Sequence, residues 1–152
     1  WYEVIEAPLR KIVVSGGGHP GDHTLIQAHK ALDAACRFLA PGGEALFVAA
    51  CDGGSGSPEM APFLADPRPQ AILARLAERY VQYGHTVLRL VEKTSHYRVH
   101  SLTRVDDDLA RQLGLVPVGA VQDVLDRWRE ESPGDTVGVM PGAAVYPRYE
   151  DG

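Results

Sequence analysis

The segment SGGGHPGDHTLIQAHK, residues 15–30, gathers the side chains with the most chemistry to offer. His23, Gln27 and Lys30 follow one another at intervals of four and three, so on a helix they share one face of its first two turns. A glutamine amide donates or accepts hydrogen bonds, and a lysine ammonium supplies a positive charge. At a helix start, where free N–H groups and the dipole favour negative charge, such a trio suits a small carboxylate. Gly16, Gly17 and Gly18 ahead of it allow a backbone to come close to a ligand. A structural duty competes for the same residues. Thr24 and Gln27 fit a capping box, in which the amide only ties up the helix start, and Lys30 fits a solvated surface position.

Other candidates are weaker in chemistry. Tyr83 and His85 flank Gly84 at a break between two helical stretches, where they either face a ligand or form the bend and cap the next helix. His19, His23 and His29 match no zinc-ligand spacing and have no neighbouring Cys, so no metal site is read in this chain. Asp52, in CDGGSG, has the chemistry of an acid or base, but Asp before Gly is ordinary turn composition. The run Asp106–Asp107–Asp108 reads as a solvated helix start, without the spaced oxygen ligands of a calcium loop. Neither a GxGxxG dinucleotide fingerprint nor a phosphate-binding lysine motif is present.

Regular elements must position these residues. KIVVS, EALFVAAC, YRVHSL, LVPV and TVGVM read as short buried strands. Apolar residues recur at helical spacing over Leu25, Ala28, Leu32, Ala35, Cys36 and Leu39, with Pro41-Gly42-Gly43 as the stop. Similar stripes run over Ile72, Leu73, Leu76, Ala77, Tyr80 and Val81, then over Val87, Leu88 and Val91. The last comprises Val121, Val124, Leu125 and Trp128. DGGSGSP reads as a flexible loop. The alternation predicts one α/β domain over residues 1–152, Rossmann-like and three-layered, with a mostly parallel sheet of about five strands. Ligands in such sheets bind beyond the carboxyl ends of the strands, where both glycine-rich loops would fall.

Composition narrows the classes of function. The 152 residues are 45% hydrophobic and 23% charged, with a net charge of −5. That is ordinary for one globular domain, and without a basic run it favours neither nucleic acid nor an anionic membrane as partner. Cys36 and Cys51 sit in apolar runs and read as small hydrophobes. No apolar stretch approaches a membrane span, no secretory signal is visible, and a cytoplasmic location is expected.

Taken in order, KIVVSGGGHPGDHTLIQAHKAL, LAPGGEALFVAACDGGSG, QYGHTVLRLVEKTSHYRVHSL and VMPGAAVYP resemble the C-terminal domain of the nickel-dependent lactate racemase family. The resemblance spans nearly the whole chain, and its first piece is the most specific. It implies an α/β unit that closes over an N-terminal domain of the same chain, the carrier of a nickel-pincer nucleotide. It also implies a reaction, hydride abstraction from the α-carbon of a small 2-hydroxy acid with return to the opposite face. Gln27 and Lys30 would hold the substrate; His23, Tyr83 and His85 are further pocket candidates. No catalytic or metal-binding residue is expected in this stretch, which would be inactive without the N-terminal domain. A start at Trp1 rather than Met agrees with a fragment. Two departures stand out: His19 takes the place of a tyrosine that often follows the Gly-Gly turn, and Tyr83 falls where lactate racemase has a tryptophan. Both point to a 2-hydroxy acid larger or more polar than lactate. The alternatives are a stand-alone binding or regulatory module of the same fold and an S-adenosylmethionine-dependent methyltransferase, to which FLAPGGEALFVAA bears a generic likeness.

Overall fold

All five expected strands form, and they join one parallel sheet. The computed structural model describes residues 2–5, 7–142 and 146–149, with side chains described over 7–142. The elements run β1 (Tyr2–Ile5), β2 (Leu9–Ser15), α1 (Leu25–Ala35), β3 (Leu39–Val48), α2 (Ala61–Leu64) and α3 (Pro69–Glu78). There follow α4 (Gly84–His96), β4 (Arg98–Leu102), α5 (Asp107–Gln112), β5 (Val116–Pro117), α6 (Val121–Glu131), β6 (Val137–Met140) and β7 (Tyr146–Tyr149). Strand order in the main sheet is β5-β4-β3-β2-β6, with every neighbouring pair parallel. β1 and β7 pair with each other in a separate parallel ribbon. The tail motif VMPGAAVYP lies partly outside the described residues, at 143–145.

The sequence chooses a covered parallel sheet because its central strand is apolar on both sides. Ala45, Leu46 and Phe47 are consecutive and all fully buried, as strands sandwiched between helices require. From β2 through β5 each crossover steps the same way along the sheet. Right-handed connections therefore place α1 to α5 on one face. The last crossover runs back from β5 to β6, which sends α6 to the other face. The packing agrees. Residues of α1, α3, α4 and α5 share the main core with Ile12, Val14 and Phe47, whereas Val124 and Trp128 of α6 pack on Leu46 in a second, smaller core.

Several expectations change at the level of detail. α1 begins at Leu25, so His23 lies in the preceding turn instead of on the helical face with Gln27 and Lys30. The helix ends at Ala35 and tightens into a 3-10 turn over Cys36–Phe38, leaving Pro41-Gly42-Gly43 inside β3. In the predicted stripe around Ile72 only that residue is fully buried; Leu73 and Tyr80 are 58% and 69% exposed. α3 is the outer helix of its layer, packing on α4, so one narrow stripe suffices. The acids at 106–108 behave as expected. The Asp106 carboxylate accepts from the N–H groups of Asp108 and Leu109 at 3.0 and 3.1 Å and caps α5.

Candidate functional site

The two glycine-rich loops, after β2 and after β3, meet at the carboxyl end of the sheet and are stitched together. The Asp22 carboxylate, 8% exposed, accepts from the Ala50 N–H at 3.1 Å, and its own carbonyl accepts from Cys51 N–H at 2.8 Å. The His23 carbonyl accepts from Gly53 N–H at 2.8 Å. Gly16 makes room for this arrangement: a Cβ there would stand 2.6 Å from Asp22 Cβ and 2.9 Å from Ala49 Cβ, closer than atoms can approach. Gly17 also lies beside Gly142, the turn after β6. The first loop thus lies at the carboxyl end of the sheet, where folds of this kind bind ligands.

The start of α1 is not the open anion cradle that the sequence suggested. Leu25 N–H donates to the Gly54 carbonyl at 2.9 Å, and Ile26 N–H to the Ser55 carbonyl at 3.2 Å. Gln27 N–H turns back to the Thr24 carbonyl at 3.0 Å. The second loop therefore plugs the helix with its own carbonyls, and a ligand here must be held by side chains. The expected capping box does not form either: Thr24 is the N-cap but makes no side-chain cap bond. That releases Gln27, whose Oε1 accepts instead from Lys30 Nζ at 2.7 Å. Both side chains are exposed, and the ammonium keeps two of its three N–H donors for another acceptor.

His23 is exposed, with its ring set edge-on to that of His19 at 5.7 Å between centroids. It leans on the second loop, since a Cβ on Gly53 would meet His23 Nε2 at 2.9 Å. Tyr83 is the residue before α4 and holds a left-handed backbone, φ 65°, which is uncommon for any residue but Gly. Its side chain is half-buried against the main core, while that of His85 is exposed. α4 lies along α1, fixed by Arg89 and Lys93 to Asp33 at 3.2 Å each. Both helices start at the carboxyl end of the sheet, so the topology gathers His23, Gln27, Tyr83 and His85 there, with Lys30 a turn further along α1.

Arg104 also belongs to this end of the sheet, although no motif or spacing marks it. It follows β4, pairs with Asp52 of the second glycine loop, and donates its N–H to the Ala50 carbonyl at 3.0 Å. A rule that inspects every charged residue just after a strand would have found it. Among the described residues no group of three or more His, Cys, Asp and Glu is disposed to hold an ion. Cys36 and Cys51 are both free and buried, their thiols pushed up to about 12 and about 11 by burial, so neither is a nucleophile. No helix among the described residues is long and apolar enough to cross a membrane.

Polar chemistry also gathers at the opposite end. A cavity of about 570 Å³ lies at the amino ends of the strands, lined by Arg10, Lys11, Glu44, Glu131 and the Pro41-Gly42-Gly43 turn. None of the residues gathered at the carboxyl end borders it. Beneath α6, Glu44 Oε2 receives Nε2–H of the fully buried His100 at 2.8 Å, and Nη2 of Arg127 and Nε1 of Trp128 at 3.1 Å each. Burial pushes the Glu44 carboxyl upward, but the bonds from His100 and Trp128 and the nearby charges outweigh it and hold the group below its usual range. Burial lowers His100 more than the Glu44 hydrogen bond raises it, so the imidazole is held neutral. His100 Nε2 faces both the Glu44 carboxylate and, at 2.7 Å, Nη2 of Arg127, while Nδ1 is buried with no described partner. These groups join β3, β4 and α6.

Comparison with known proteins agrees with the fold. No protein-family profile matches the chain, and no curated protein does. Among solved structures, the lactate racemase apoprotein from Thermoanaerobacterium thermosaccharolyticum superposes with a TM-score of 0.80 at 19% identity, over 94% of this chain and 36% of that one. A protein from Thermotoga maritima, a structural-genomics target, superposes with a TM-score of 0.60 at 14% identity, over 98% of this chain and 39% of that one. The chain spans little more than a third of the length of either. Its fold is lactate racemase-like.

Proposed function

We propose that this chain is the substrate-holding C-terminal domain of a 2-hydroxy-acid racemase or epimerase that uses a nickel-pincer nucleotide carried on an N-terminal domain. The observation that carries the reading is the Gln27–Lys30 pair: two exposed polar side chains, bonded to each other, on the first turns of the helix that follows the glycine-rich loop. The lactate racemase-like fold, together with the motif order, supports it. On this reading the cofactor would sit on the other domain and supply the hydride chemistry there. This chain's part is to hold. Lys30 would neutralise the substrate carboxylate and Gln27 would hydrogen-bond a neighbouring oxygen, orienting the α-carbon as the domains close out water. His23, Tyr83 and His85 would shape the wall.

Lys30→Ala in the full-length, cofactor-loaded protein is expected to lower kcat/KM for its 2-hydroxy acid by about 10- to 100-fold, the value of a hydrogen bond to a charged group. The circular dichroism spectrum should not change, because the side chain is exposed. Chiral chromatography of the acid before and after reaction measures the effect, and unchanged kinetics would remove Lys30 from the site. Tight binding of S-adenosylmethionine by this chain would favour a methyltransferase instead.

A further inference from the structure

Charged groups also converge far from the mouth, around the cavity of about 570 Å³ at the amino ends of the strands. An irregularity in strand pairing borders it. Leu9 pairs with Leu39 and Lys11 with Glu44, so residues 40–43 of β3 stand against Arg10 alone. Bulges of this kind re-aim side chains and are frequent beside sites. Gly42 supplies the positive φ, 73°, that the detour needs. Glu131 and Ser132, at the end of α6, complete the lining. Two cations and two carboxylates therefore line one hollow: Arg10, Lys11, Glu44 and Glu131. Each has bonding capacity to spare. Lys11, 5% exposed, spends one N–H on the Trp128 carbonyl at 3.0 Å, and Asp135 lies at 3.7 Å, beyond hydrogen-bond reach. Glu44 takes its three donors on Oε2, which leaves Oε1. Arg10 has no side-chain partner among the described residues, and Glu131 has only Arg127 Nε at 3.4 Å.

We propose that this cavity is a second ligand site, and that it takes a small zwitterion of the free α-amino-acid class. A ligand of net charge would meet as much repulsion as attraction among two cations and two carboxylates. The two signs also come from different elements. Arg10 and Lys11 adjoin on β2, whereas Glu131 stands at the end of α6, where the helix dipole is negative. A ligand carboxylate would go to the β2 cations, and its ammonium to Glu131 and Glu44. Ala40 and Pro41 offer little apolar wall, which favours a small or polar side chain. The volume lies within the usual range for small-ligand cavities, about 300–1,000 Å³. The inference stands apart from the racemase reading, since no residue gathered at the carboxyl end borders the cavity.

Calorimetric titration of the full-length protein with glycine, L-alanine, L-serine and L-asparagine tests it. At least one should bind with a Kd of about 1 mM or tighter. Its analogues lacking one charge, which for L-alanine are propionate and ethylamine, should bind at least about 10-fold more weakly. Arg10→Gln and Glu131→Gln should each weaken the amino acid by about 10- to 100-fold. Both side chains are exposed, so both variants should fold, which circular dichroism checks. Lys30→Ala, at the other end of the sheet, should leave the affinity for the amino acid where it was. The inference is overturned if none of the four binds, or if either single-charge analogue binds as tightly. Affinity unchanged in Arg10→Gln or in Glu131→Gln, or lost in Lys30→Ala, would equally overturn it.

Discussion

At the scale of single residues, Asp22 bears more structure than its place in a turn suggests. Its carboxylate and carbonyl each take one N–H from the loop after β3, at Ala50 and Cys51. Asp22→Ala leaves the Ala50 N–H without its partner and should cost about 1–3 kcal/mol in urea unfolding. Asp22→Asn keeps an acceptor oxygen and should recover most of that. Reading residues one at a time served unevenly here. Gln27 and Lys30 were visible because helical periodicity predicts which side chains are neighbours. The plugged helix start was not, because Gly54 and Ser55 come from a loop some thirty residues away and act through carbonyls, which every residue has. Arg104 escaped for a related reason: its partner Asp52 is 52 residues distant.

At the scale of elements, strands and helices were the most legible, since burial on one or both faces writes period and composition into the chain. The boundaries drifted where local signals conflicted with pairing. Pro41-Gly42-Gly43 looks like a helix stop, yet β3 accommodates it where its pairing with β2 shifts register, between Leu9 and Lys11. The joint between β3, β4 and α6 could not be foreseen, because Glu44, His100 and Arg127 meet only when the sheet assembles. It makes that joint acid-sensitive. Both Glu44 and His100 hold folded values below their ordinary ones, so the unfolded chain binds more protons as pH falls. The stability they contribute is complete above the unfolded histidine value of about 6.5 and declines as the pH drops through the folded values. Thermal melts from pH 7 to pH 5 should show a falling Tm, and His100→Gln, which keeps a donor but does not titrate, should flatten that decline. A slope identical in the two proteins would remove His100 as its source.

At the scale of the whole molecule, the two faces of the sheet are unequally covered. Helices α1 to α5 build a deep layer on one side, and α6 serves the other alone among the described residues, through Val124 and Trp128. Trp128 is 2% exposed, donates to Glu44, and offers its carbonyl to the buried Lys11 at 3.0 Å. Trp128→Ala should therefore loosen the whole α6 face, at about 3–5 kcal/mol in chemical unfolding. A loss below about 1 kcal/mol would mean that this face is held some other way. The cross-bonded glycine segments also bear on affinity. Untethered, two such segments would surrender chain freedom each time a small acid arrived, and that loss would weaken its capture. Folding has already taken that freedom away, so an incoming anion meets a mouth with little left to order, and its few contacts count almost in full.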